Sequence, residues 1–132
     1  MEDLNQLKVF TLEEAEALLP QLTGLLNEAR RKREEIHQLE VEIDLEELLQ
    51  DQGASPRLDG RVEEYNRKVS EFYDLIDKVH APGCFLKDVE IGLVDFYSMR
   101  DGKVVYLCWK MGEDRIRFWH EVGKGFAARE AL

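Results

Sequence analysis

From residue 11 to about residue 80, apolar side chains recur every three or four positions, and beyond residue 83 they alternate with polar ones. The first pattern is that of amphipathic helix and the second that of a half-buried strand. Thr11 and Glu14 stand at capping-box spacing and predict a helix start. Pro20 lacks a donor N–H and disfavours helical geometry at Leu19. A short helix over 12–19 is therefore expected, with a kink or break and Pro20 opening the next. Leu22, Leu25, Ala29, Ile36, Leu39 and Ile43 then form one stripe, interrupted at Lys32, that carries a long helix to about Leu49. The string DQGAS breaks it, and Ser55 before Pro56 suits an N-cap followed by proline at the first helical position. Leu58, Val62, Tyr65, Val69, Phe72, Ile76 and Val79 alternate steps of four and three, as in the seam of a coiled coil.

Two such helices joined by a short turn lie antiparallel, and at 1.5 Å per residue each is about 40 Å long. They outreach a small sheet and leave Leu45, Leu48, Leu49, Leu58 and Val62 at an uncovered tip. A homodimer formed through the hairpin would cover it. The alternative is that residues 44–50 fold back and cover the tip within one chain.

Ala81-Pro82-Gly83 ends the helical part. CFLKD, LVDFYSM, VVYLCWKM and RIRFWHE follow as candidate strands, so the expected fold class is α+β, a helical hairpin packed on an antiparallel sheet of three to four strands. Asp101-Gly102 suits a two-residue type I′ turn and Gly112-Glu113 a type II′ turn. Counting outward from the first places Val94 opposite Trp109, Phe96 opposite Leu107 and Ser98 opposite Val105. Counting from the second places Trp109 opposite Ile116, Leu107 opposite Phe118 and Val105 opposite His120. In that register one face holds Val94, Phe96, Leu107, Trp109, Ile116 and Phe118, with His120 at its rim. The other holds Asp95, Cys108 and Arg117 in one row and Tyr97, Tyr106 and Trp119 in the next. Cys108 and His120 then point to opposite sides, which excludes a dyad between them unless a bulge intervenes.

At 132 residues the chain fits one domain, residues 1–82 forming its helical part and 83–132 its sheet and tail. The net charge of −10 is unevenly placed. Residues 1–82 hold 10 Lys and Arg against 20 Asp and Glu, and residues 83–132 hold 8 of each. That balance argues against nucleic-acid binding, which needs a basic face. The one basic run, Arg30 to Arg33, lies among Glu28, Glu34 and Glu35 and reads as a helix face that neutralises itself. No apolar run approaches the ~20 residues that span a bilayer, and the acidic start does not resemble a secretory signal, so a cytoplasmic protein is expected. Cys84 and Cys108 are too few for a disulfide framework.

The ordered strings GCFLKD, GLVDF, YLCWKMGE, FWHE and GFAAR resemble the signature of a prokaryotic family, domain of unknown function 2203, over Phe10 to Leu132. The resemblance implies no activity, cofactor or catalytic residue.

The residues themselves offer two readings. In the first, a non-catalytic interaction protein forms an oligomer through its hairpin, and the second sheet face meets a protein or small-molecule partner. Asp95 and Arg117 would act there as a clamp for an anion or carboxylate, with Tyr97, Tyr106 and Trp119 as a stacking shelf. The bland version of that face is a cross-strand ion pair over a small thiol. In the second reading, a small metal-binding protein or enzyme uses His120 and Glu121 at the sheet rim with Asp88 or Asp95. His120-Glu121 is no HExxH motif, adjacent strand residues diverge, and no spacing singles out His37 or His80. Neither a metal nor another cofactor is called for. Gly123-Lys124-Gly125 lacks phosphate-loop spacing and reads as a turn returning the tail across the sheet, anchored by Phe126, with Arg129 over the second face.

Overall fold

The computed structural model describes residues 7–49 and 56–132. Three helices, α1 (Leu12–Ala17), α2 (Leu19–Leu49) and α3 (Pro56–His80), precede an antiparallel sheet. Its strands are β1 (Phe85–Asp88), β2 (Leu93–Arg100), β3 (Lys103–Lys110), β4 (Phe118–Glu121) and β5 (Glu130–Ala131), side by side in chain order. The fold is α+β as expected, but the sheet has five strands where three to four were predicted. The fifth is two residues long and too short for any periodicity to show.

Helix starts follow local chemistry. Thr11 accepts from Glu14 N and Glu14 reaches back to Thr11 N, a complete capping box. α1 ends at Ala17, two residues short of the expected 19, the chain turns at Leu18, and α2 opens at Leu19 with Pro20 as its second residue. The DQGAS break and the Ser55 cap fall outside the described residues; Pro56 does occupy the first position of α3. α2 runs without interruption to Leu49, so residues 44–49 do not fold back over the tip. Charged pairs strap α2 to α3: Lys32 to Glu71 at 2.7 Å, Lys68 to Glu35 at 2.9 Å, and Arg61 to Glu42. Lys32, which interrupts the apolar stripe, thus reaches across to the other helix. Arg33 likewise meets Glu90, not a helical neighbour, at 2.8 Å.

The core lies between the helices and one sheet face. Phe10, Ala15, Leu19, Leu22, Leu26 and Val79 pack against Val94, Phe96, Leu107, Trp109 and Ile116. β2 and β3 pair as predicted, Val94 with Trp109, Phe96 with Leu107 and Ser98 with Val105. Asp101 at φ 52° and Gly102 at φ 78° make the expected type I′ turn.

The second reversal differs by one residue. β3 pairs with β4 as Val105 with Glu121, Tyr106 with His120, Leu107 with Trp119 and Cys108 with Phe118. Gly112, at φ 105°, is the third residue of a turn closed by Glu113 N to Lys110 O at 3.0 Å, not the first central residue of a type II′ turn. Glu113 is held there twice more, its carboxylate accepting from Lys110 N at 2.7 Å and its carbonyl from Trp109 Nε1 at 3.0 Å. Beyond it, Ile116 N donates to Glu16 of α1 at 3.1 Å, so Ile116 enters the core from outside the ladder and pairing resumes only at Phe118. Phe118 and His120 therefore lie on the second face, and Trp119 packs against the core cluster.

Candidate functional site

That one-residue shift assembles a site. Asp95 sits directly opposite Cys108, and His120 sits opposite Tyr106, one diagonal step from Cys108. All three point to the second face, on three neighbouring strands. Cys108 is small, so the side chains flanking it can lean together above it. His120 Nε2 lies 3.1 Å from Asp95 Oδ2, across the middle strand. The ligand atoms of Asp95, Cys108 and His120 all lie within 4.8 Å of one another. The predicted separation of Cys108 from His120 is thus overturned, by the irregularity after Glu113.

The site is sealed. Asp95, Cys108 and His120 are 3%, 0% and 2% exposed. Its sides are aromatic: Tyr97 stacks on Tyr106 at 4.8 Å, and Phe85 of β1 meets both edge-on. Two cations cover it. Lys87 lies over the rings of Phe85 and Tyr106, and Arg129 lies over Phe118 and Phe126. Arg129 is fixed by Glu113 at 3.1 Å, so the residue that sets the turn also latches the tail. Phe126 is stacked beneath Arg129 and remains 37% exposed, not the buried anchor expected of it.

Burial governs the charges. It pushes the Cys108 thiol up to about 12, with the Asp95 carboxylate adding to the effect, so Cys108 is a thiol and not a nucleophilic thiolate. Burial also raises Asp95, against the opposing pull of His120, of a hydrogen bond from the Cys108 thiol and of Lys87. His120 Nδ1 is 2.9 Å from the carbonyl oxygen of Glu121, which only accepts, so Nδ1 carries a proton. Nε2, the other ring nitrogen, is the one turned toward Asp95 Oδ2. Asp95 Oδ1 is buried and has no hydrogen-bond partner.

Of the predicted clamp and shelf, the structure gathers Asp95, Tyr97 and Tyr106. Arg117 does not join them: it precedes β4, pairs with Asp114 at 3.0 Å and is half exposed. Trp119 is on the opposite face, beneath Arg100. Glu121 also leaves the site, lying beside Val105 and paired with Lys124. Asp88 caps the loop after β1, accepting from Glu90 N and Ile91 N. The Asp95–Cys108–His120 combination was missed because Phe118, Trp119 and His120 leave either alternation of β4 plausible.

The molecule is thus an α+β protein whose sheet has a helical hairpin on one face and a closed carboxylate–thiol–imidazole cluster on the other. The chain belongs to the family of uncharacterized conserved proteins DUF2203, whose model matches residues 8–132. Neither a curated protein nor a solved structure matches it. No helix among the described residues is long and apolar enough to cross a membrane.

Proposed function

We propose that this is a non-catalytic interaction protein that acts as a homodimer formed through the distal half of its hairpin. One observation carries the reading: α2 bears a second apolar stripe that α3 does not cover. Val41, Leu45, Leu48 and Leu49 fall on one face by steps of four, three and one, and are 42%, 52%, 81% and 81% exposed. Leu39, by contrast, is buried. An apolar patch of this kind on a helix is a docking surface or an aggregation liability. A second copy, related by a two-fold axis, offers the same stripe in return and makes a four-helix arrangement. The sealed cluster supports the non-catalytic part, since a reacting group must meet its substrate. The reduced, buried cysteines suit work in the cytoplasm.

Light scattering on the wild-type chain and on a Leu45→Glu/Leu48→Glu variant tests this. The wild type should run at twice its 15.4 kDa chain mass and the variant at the single-chain mass, with unchanged helicity. A wild-type chain that stays single at every concentration would remove the dimer.

A further inference from the structure

We infer that Asp95, Cys108 and His120 bind a divalent transition metal of the zinc class. The inference uses residues other than those proposed to form the dimer, and stands or falls separately from it.

Four observations converge. First, thiolate, imidazole and carboxylate are the donor types such ions take, and among the described residues these three side chains come together with their ligand atoms inside 4.8 Å. A tetrahedral site separates its donors by about 3.3–3.8 Å, so even the widest pair need close by no more than ~1.5 Å. Second, His120 is already oriented as a ligand. Nδ1 donates to the Glu121 carbonyl and Nε2 is turned into the cluster, the arrangement by which a backbone acceptor fixes the tautomer of a metal-bound histidine. Third, Asp95 is 97% buried with Oδ1 unpartnered, an unusual state for a carboxylate that a metal would relieve. Held through both oxygens, Asp95 would close a distorted four-coordinate site with Cys108 Sγ and His120 Nε2, since the oxygens of one carboxylate lie too close together to take two corners of a regular tetrahedron. Fourth, charge balances. A thiolate and a carboxylate with a neutral imidazole carry two negative charges, matched by a divalent cation in surroundings too dry to hold them otherwise.

Donor softness selects the ion. Calcium and magnesium take six to eight or six oxygen donors, which one carboxylate cannot provide. A thiolate and an imidazole favour zinc, with cobalt as its spectroscopic substitute. Every donor side chain is nine-tenths buried or more, so the site holds an ion between β2, β3 and β4 as a rivet and leaves no position for a substrate.

The test uses untagged full-length protein stripped with a chelator and titrated with Co²⁺, then with Zn²⁺ in competition with a chromophoric chelator. One equivalent of Co²⁺ should bind with a thiolate-to-metal charge-transfer band and the strong visible bands of four-coordination, and one equivalent of Zn²⁺ should abolish both. Cys108→Ala should lose the charge-transfer band. Asp95→Asn and His120→Gln should each weaken Zn²⁺ by more than the 10–100-fold typical of an outer-sphere change. Glu121→Gln and His37→Gln should bind as the wild type does. Circular dichroism establishes that each variant is folded, and Zn²⁺ should raise the melting temperature of the wild type but not of folded Cys108→Ala. Absence of a charge-transfer band in folded wild type, or a band and affinity unchanged in Cys108→Ala, overturns the assignment and leaves Asp95–His120 as a structural hydrogen bond.

Discussion

Cys108 is the hinge of the second face because of what it is too small to do. With a short side chain between them, Asp95 and His120 meet across a whole strand. A branched residue in its place would be overpacked at a cost of about 1–3 kcal/mol and would also part the pair. Cys108→Leu is therefore expected to destabilise more than Cys108→Ala, measured by urea denaturation of metal-free protein. The pair itself is best read by a double-mutant cycle. Asp95→Leu alone leaves His120 buried without its partner, which costs about 3–5 kcal/mol for a buried ion pair, while Asp95→Leu/His120→Leu should recover part of that loss. Strictly additive losses would show the two are not coupled. Both thiols are raised by burial, Cys84 to about 11 and Cys108 to about 12, so neither should react with an aromatic disulfide reagent at pH 8 until the chain is unfolded. At this scale the sequence was least informative: it supplied Asp95 opposite Cys108, but His120 depended on a turn whose geometry is set by three hydrogen bonds, one donated by Glu113 and two accepted by it.

Among the elements, those with one strong local signal were legible. The Thr11–Glu14 box, Pro56 at a helix start, the halt at Ala81-Pro82-Gly83 and the Asp101-Gly102 turn each rest on neighbours in the chain, and each is present. β4 and β5 rest on distant partners instead: Glu16 takes Ile116 N–H, and the tail pairs with Phe118 and Trp119. Glycines separate the two cases experimentally. Gly24 and Gly60 lie inside helices with nothing within 4 Å of an added Cβ, so alanine at either should stabilise by about 0.5–1 kcal/mol. Gly92 has φ 67° and an added Cβ would stand 2.6 Å from Met111 Cβ, so Gly92→Ala should destabilise. Thermal denaturation distinguishes the signs. The hairpin's ion pairs predict a pH dependence as well. Hydrogen bonds from Lys68 and Lys32 hold Glu35 and Glu71 below their ordinary 4.5. A carboxylate depressed in the folded chain stabilises above its unfolded value and loses that contribution as pH falls through the folded one. Stability should fall below about pH 5, and a Glu35→Gln/Glu71→Gln variant should fall less steeply; both partners are partly exposed, so the difference is small.

For the molecule as a whole, the core joins α1, α2 and α3 to β2 and β3, so sheet and proximal helices should unfold in one transition. The distal hairpin lies outside that cluster. Beyond Ala29, α2 buries Leu39 alone, and α3 buries only Leu75 and Val79, at the end nearest the sheet. Two helices side by side cannot enclose a stripe on their outer flank, and this part of the molecule asks for another surface. The most direct measurement is a spin label placed at Asp44 beside the stripe, the buried native thiols being left unlabelled. Helices of two copies packed at about 8–10 Å should give a strong dipolar coupling between labels, lost on dilution with unlabelled chain and absent in Leu45→Glu/Leu48→Glu. No coupling between copies at any concentration the protein tolerates would contradict the dimer and leave the stripe without its proposed partner.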